Sequence, residues 1–291
     1  MISLFLNIIT PNSFYFRHNN LLEIKKENMD LQLKNKISLV CAASEGLGKA
    51  SALELVKEGS KVAICSRSKE KLVSTQEEIA KLTGIEIEVF EADLTVHEQI
   101  KNLQHEVKNK LGEIEILVNN IGGPPPGTFE SHSDVDWQNA INLTLMSAIR
   151  MSKAVLPGMK EKKWGRIINI SSVSVKTPVN NLFLSNSIRL GVLGWAKALS
   201  DEIAKDGITV NSVCPGSTRT NRITSIYSEM VKQTGQSIQE VEDLSAQNIP
   251  MKRIGEPHEL AALVAFLASE RASYMTGLAI QVDGGSARTY Y

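Results

Sequence analysis

The chain has 291 residues, with 32 Lys plus Arg against 32 Asp plus Glu and 42% hydrophobic side chains. That length suffices for one large core, and the even charge balance supplies no field to draw nucleic acid or an anionic membrane. Cys41, Cys65 and Cys214 each close an apolar run, and the five histidines stand singly. Neither a disulfide framework nor a metal site is expected, and the expected compartment is the cytoplasm.

The amino-terminal MISLFLNIIT is too short to cross a bilayer and lacks the basic start and cleavage site of a signal peptide. Residues 1–28 read as a poorly ordered extension, or as sequence ahead of a start at Met29, and residues 29–291 as a single domain. From Lys36 onward strands and helices alternate. Ile37–Ala42 predicts a buried strand and Gly46–Lys57 a helix with Leu47, Ala50, Leu53 and Val56 on one face. Val62–Ser66 is a second strand, Lys69–Leu82 an amphipathic helix stopped at Gly84, and Ile85–Ala92 a third strand. A helix over Val96–Leu111 ends at Gly112, and Ile114–Asn119 is a fourth strand. The proline-stiffened loop 122–127 then leads to a long helix, Asp134–Lys160.

Ile167, Ile168 and Ile170 form a fifth strand, closed by Ser171 and Ser172. A turn with Pro178 and the capping candidates Asn180 and Asn181 opens a helix whose period runs through Leu182, Ile188, Val192, Trp195, Leu199 and Ile203. Ser185 and Arg189, four apart, share one face of it. A sixth strand at Ile208–Cys214, a polar helical insertion at about 221–248, a helix at Pro257–Ser269 and a strand at Ala279–Val282 complete the chain. Such alternation implies an α/β fold: a single Rossmann-type, doubly wound parallel sheet of about seven strands with helices on both faces. Ligands in such sheets bind beyond the carboxyl ends of the strands.

Those ends carry the motifs. Cys41–Lys49 reads CAASEGLGK, where Gly46 and Gly48 let backbone approach a diphosphate at a helix amino terminus. This loop resembles the T-G-x-x-x-G-x-G phosphate loop of the short-chain dehydrogenase/reductase family, with Cys41 and Ala42 replacing the Thr and first Gly. Asn119-Asn120-Ile121-Gly122 is similar to that family's N-N-A-G, and Asp93-Leu94 to its adenine contact. Pro215-Gly216 followed by Thr220 resembles P-G-x-x-x-T beside the nicotinamide, and Val282-Asp283-Gly284-Gly285 resembles the carboxy-terminal V-D-G-G. The match runs in one register over about residues 33–286 and is nearest the 3-oxoacyl-(acyl-carrier-protein) reductase-like branch. It implies cofactor contacts at Ser44, Gly46, Leu47, Gly48, Ser66, Arg67, Asp93, Leu94, Asn119, Gly122, Arg189, Pro215, Gly216, Thr218 and Thr220. Ser66-Arg67 stands where an NAD-selective chain would carry an acid, so NADP(H) is the preferred cofactor and NAD(H) the alternative; Lys49 is expected to add positive charge nearby. A positive φ at Ala42 would cost on the order of 1 kcal/mol.

The resemblance also implies a Ser that polarises the substrate carbonyl, a Tyr thirteen residues on that donates the proton, a Lys four further that lowers the Tyr pKa and holds the ribose, and an Asn that holds a water relay. Asn142 and Ser172 match. The other two positions hold Ser185 and Arg189, so Y-x-x-x-K has become S-N-S-I-R. An aliphatic hydroxyl is far too weak an acid to inherit the tyrosine's role directly. Arg189 retains a charge for the ribose and for a developing oxyanion, while Ser172 and Ser185 are placed to pass a proton from water. Tyr227, in the insertion, is the alternative acid to test, although its surroundings read as those of a surface aromatic. Two functions follow: an NADP(H)-dependent oxidoreductase interconverting a carbonyl and a hydroxyl on a small or acyl-type substrate, or an NADP(H)-binding sensor or partner subunit without turnover. Residues 221–249 read as a substrate lid with Ile223, Ile226, Met230 and Ile238 on its apolar face. The resemblance further implies a homodimer or homotetramer pairing the helices at 134–160 and 181–204.

Overall fold

The apolar runs become seven parallel strands in the computed structural model, which describes residues 29–290. The expected extension over 1–28 lies outside them. The strands are β1 (Ile37–Cys41), β2 (Lys61–Ser66), β3 (Glu88–Glu91), β4 (Ile116–Asn119), β5 (Gly165–Ile170), β6 (Ile208–Pro215) and β7 (Ala279–Val282), in spatial order β3-β2-β1-β4-β5-β6-β7. The order reverses between β1 and β4, which opens a crevice above their carboxyl ends. Because alternate side chains face opposite sides of a strand, Val40 packs under α1 (Gly46–Lys57) and α9 (Pro257–Ala268) while its neighbour Leu39 faces the other layer. Leu55, Val56, Leu260 and Val264 close the first layer, joined by Leu72 and Ile79 of α2 (Lys69–Thr83). Ile100 and Leu103 of α3 (His97–Leu111), Met151 and Val155 of α5 (Ser147–Lys162) and Ala196 of α6 (Phe183–Ile203) close the second.

Gly84 caps α2 at φ 73, the left-handed conformation that a side chain resists. Other boundaries differ from the sequence reading. The third strand keeps only Glu88–Glu91, because as the sheet's edge it has one neighbour and its ladder begins at Ala63↔Glu88. The fourth begins at Ile116, although Ile114 remains buried in the core. The single helix expected over 134–160 is interrupted: α4 (Asp134–Ala140) passes through a π-helical turn at Ile141–Met146 before α5. Nor do Asn180 and Asn181 cap α6. Its first flanking residue is Leu182, which makes no side-chain cap. Asn186, one turn inside the helix, holds the turn instead through the backbone N–H and carbonyl of Val179. The insertion is two helices, α7 (Asn221–Thr234) and α8 (Ile238–Gln247), separated at Gly235. Among the described residues no helix is long and apolar enough to cross a membrane.

Candidate active site

The crevice begins at the β1–α1 loop. Ala42 turns it with φ 45, and the Asn120 side-chain amide donates to the Ala42 carbonyl at 3.0 Å. Gly46 follows with φ 60. A Cβ on Gly48 would lie 2.7 Å from both the Ala42 carbonyl oxygen and Asn120 Nδ2, so the loop closes this tightly only over a glycine. The α1 amino terminus therefore opens into a cavity of about 700 Å³ above the strand ends. Its volume lies within the range of small-molecule sites, and backbone amides at a helix start suit a diphosphate.

At one end of the cavity stand Ser66 and Arg67 after β2, and Asp93 and Leu94 after β3. Arg67 forms no ion pair with another described residue, which suits a guanidinium awaiting a phosphate. Lys49 does not contribute as expected. It lies outside the cavity lining, with its ammonium 2.7 Å from Glu78. The cation that sequence reading missed is Lys71, which lines the cavity and pairs with Glu45 at 3.2 Å. A basic residue in the first turn of α2, just after the strand-end loop that carries Arg67, was the available signal. Asn221 and Lys71 together hold the Glu45 carboxyl below its ordinary range, with the Asn221 hydrogen bond the larger cause. A dinucleotide with a 2′-phosphate fits this set: a glycine cradle, a helix start and a free guanidinium.

At the other end lie Ser172 after β5, Ser185 and Arg189 from α6, and Pro215, Gly216, Thr218 and Thr220 after β6. Ser172 Oγ accepts from the Ser174 N–H at 3.1 Å, which fixes its orientation. Arg189 is only 7% exposed, and its Nη1 donates to the carbonyls of Ile170 and Ser171 at 3.1 and 3.0 Å. Burial, then the facing charge of Arg222, lowers its pKa to about 10, so it remains a cation at neutral pH.

Asn142 is not brought to this cluster. Its amide donates to the Thr95 carbonyl at 3.2 Å and its oxygen accepts from Arg150 at 2.6 Å. Residues two apart on a helix face nearly opposite ways, so the face that serves the site carries Thr144. Thr144 lines a second cavity of about 20 Å³ with Asn119, Asn169, Ser171 and Arg189. Thr144 Oγ1, Asn169 Nδ2 and Ser171 Oγ are buried there with no partner. That volume admits one water, and three orphaned polar atoms supply the bonds one requires. Asn119 also departs from expectation: it donates to Ser152 and Asn169 inside the core, and Asn120 takes its place on the large cavity. Gly48 lies beneath the loop rather than on the cavity surface.

Tyr227 is a buried residue, 4% exposed, not a surface aromatic, and it does not line the large cavity. Of the lid's apolar face, Ile223 and Ile226 reach the cavity, whereas Ile238 is 47% exposed on the outer side. Arg219 ties the insertion down, pairing with Glu242 of α8 at 2.6 Å and with Glu256 at 3.0 Å. In loop 122–127 only Gly122, Gly123 and Pro124 line the mouth.

A family model described as enoyl-(acyl carrier protein) reductase matches residues 41–287. The 3-oxoacyl-[acyl-carrier-protein] reductase FabG of Aquifex aeolicus is 35% identical, covering 88% of this chain and 99% of the relative. The NADPH-dependent reductase BacG of Bacillus subtilis is 33% identical over 88% of this chain and 100% of its own length. Among solved structures, L-sorbose reductase from Gluconobacter frateurii, complexed with NADPH and L-sorbose, superposes with a TM-score of 0.86 at 29% identity, covering 90% of this chain and 100% of that one.

Proposed function

The chain belongs to the short-chain dehydrogenase/reductase family, and from that premise we propose that it is an NADP(H)-dependent oxidoreductase interconverting a carbonyl and a hydroxyl on a small or acyl-type substrate, with water in place of tyrosine as the proton source. The observation that carries this is the convergence of Ser172, Ser185 and Arg189 on the cavity that the phosphate loop opens. Ser44, Gly46, Leu47 and Thr220 would hold the diphosphate, and Arg67 the 2′-phosphate. Bound NADPH supplies the hydride.

Ser172 donates a hydrogen bond to the substrate carbonyl oxygen and strengthens it as negative charge develops there. The Arg189 guanidinium adds a fixed positive charge without giving up a proton, because its pKa of about 10 lies well above neutrality. Ser185 passes a proton rather than originating one. The proton is drawn from bulk solvent through the large cavity that Ser185 lines, so that the hydroxide left by a donating water is reprotonated there; the water-sized cavity behind Arg189, lined by Thr144, Asn169 and Ser171, would hold one water beside that path. A second reading, an NADP(H)-binding protein without turnover, is favoured by the loss of the tyrosine at position 185. NADPH oxidation across a panel of carbonyl compounds separates them. Turnover that falls by about 10²–10³ in Ser172→Ala, with cofactor still bound, is the expected result. Bound cofactor with no turnover on any carbonyl selects the second reading. On the surface, Phe129, Val135, Phe183 and Leu190 leave apolar area exposed on and beside α4 and α6, which supports a homodimer or homotetramer through these helices.

A further inference from the structure

Arg222, in the first turn of α7, was no part of the sequence reading, yet it lines the cavity opposite Arg189. The Nη2 atoms of Arg222 and Arg189 lie 3.4 and 3.8 Å from the point above Gly123 where a Cβ would stand. Each guanidinium is tethered to main-chain oxygen, Arg222 Nη2 to Pro124 at 3.1 Å and Arg189 Nη1 to Ile170 and Ser171, so neither can swing away without losing a bond. Two cations thus converge on one small space over a glycine. Among the described residues neither has a carboxylate within ion-pair distance. The two acids that line the cavity are engaged elsewhere, Glu45 with Lys71 and Asn221, and Asp93 with Thr95. Like charges held together oppose one another, here between the buried Arg189 and the exposed Arg222, and an anion placed between them reverses the sign of that interaction. Arg189 bounds the space on the side of Ser172, through its bond to the Ser171 carbonyl, and Arg222 bounds it on the side of the phosphate loop, two residues after Thr220, whose methyl lies 3.5 Å from the Cβ position of Gly46.

We propose that the substrate is an oxo acid whose carboxylate seats between Arg222 and Arg189 while its ketone or aldehyde reaches Ser172. The planar guanidinium fork matches a carboxylate through paired, charge-assisted hydrogen bonds. This assignment of substrate class rests on the reductase reading, but its test does not require turnover. The NADP⁺-loaded protein is titrated calorimetrically with 2-, 3- and 4-oxo carboxylic acids and with the neutral amide of each. At least one acid is expected to bind ten-fold or more tightly than its amide, and Arg222→Gln is expected to bring that ratio close to one while NADP⁺ remains bound. Arg222→Lys, which keeps the charge but not the fork, is expected to restore only part of the preference. Equal binding of every acid and its amide, or binding of neither, overturns the proposal. So does a ten-fold loss of NADP⁺ affinity in Arg222→Gln, which would assign this arginine to the cofactor's phosphates. Acid preference without NADPH oxidation would sink the reductase reading alone.

Discussion

Ala42 holds φ 45 without being a glycine, so the phosphate loop carries strain on the order of 1 kcal/mol. The Asn120 bond to its carbonyl helps to fix that geometry. We propose Arg67 as the residue on which cofactor choice turns. Replacing it with Ala is expected to weaken NADPH binding by about ten- to a hundred-fold, the equivalent of roughly 1.5–3 kcal/mol for a charged hydrogen bond, and to leave NADH binding nearly unaltered. Fluorescence titration with both cofactors reads this directly, and equal losses would remove Arg67 from the phosphate site. Cys214 supplies a pH test. Burial above all pushes its thiol up to about 11 from an ordinary value near 9.0, so the fold excludes the thiolate. A group raised in the folded state contributes stability that is present below the unfolded pKa and is lost as pH climbs to the folded one. Urea denaturation between pH 9 and 11 is therefore expected to show wild type losing roughly 2–3 kcal/mol relative to Cys214→Ala. Parallel curves for the two proteins would show that Cys214 does not titrate differently on unfolding. The cysteine placements, each ending an apolar run, were legible as buried positions. Thr144 was not, because its value depends on which face a helix presents.

At the scale of elements, the insertion over the site is held by ion pairs added to a few buried apolar side chains, Tyr227 and Val241 among them. Arg219 spans α8 and the start of α9, and its paired carboxylates hold its pKa above the usual arginine value. Exposed ion pairs contribute little to global stability, typically 0–1 kcal/mol. Arg219→Ala is accordingly expected to shift the melting temperature by only about 1–3 °C. Limited proteolysis within 221–248 is expected to accelerate several-fold, together with a rise in KM. Unchanged cleavage would show that the lid is held by its apolar contacts alone. Strands and most helices were readable here, since α1 and β7 depend on local patterning and terminate where the motifs place them. The π-helical turn at Ile141–Met146 was not, for its apolar and polar residues fit a continuous helix equally well. Its presence marks the segment that sets the small cavity's wall. The shortened β3 likewise reflects the neighbour it has, not the residues it is made of.

For the whole molecule, the exposed rings of Phe129 and Phe183, with centroids 5.3 Å apart, and the exposed Leu190 lie beside or on α6. Light scattering at micromolar concentration is expected to give a dimer or tetramer, and the double variant Phe183→Asp with Leu190→Asp a smaller species that still binds NADPH. A wild-type monomer would refute that interface. Residue order was enough for the alternating fold and the strand-end placement of its motifs, because hydrophobic period and glycine spacing are local properties of the chain. The tertiary structure alone decided that Asn142 faces Arg150, that Thr144, Asn169 and Ser171 enclose a water-sized space, and that Arg222 stands against Arg189. Asn142 and Arg150 are eight positions apart, Thr144 is 25 from Asn169 and Arg189 is 33 from Arg222; which of them meet is set by helix phase and sheet order rather than by anything their neighbours in sequence encode.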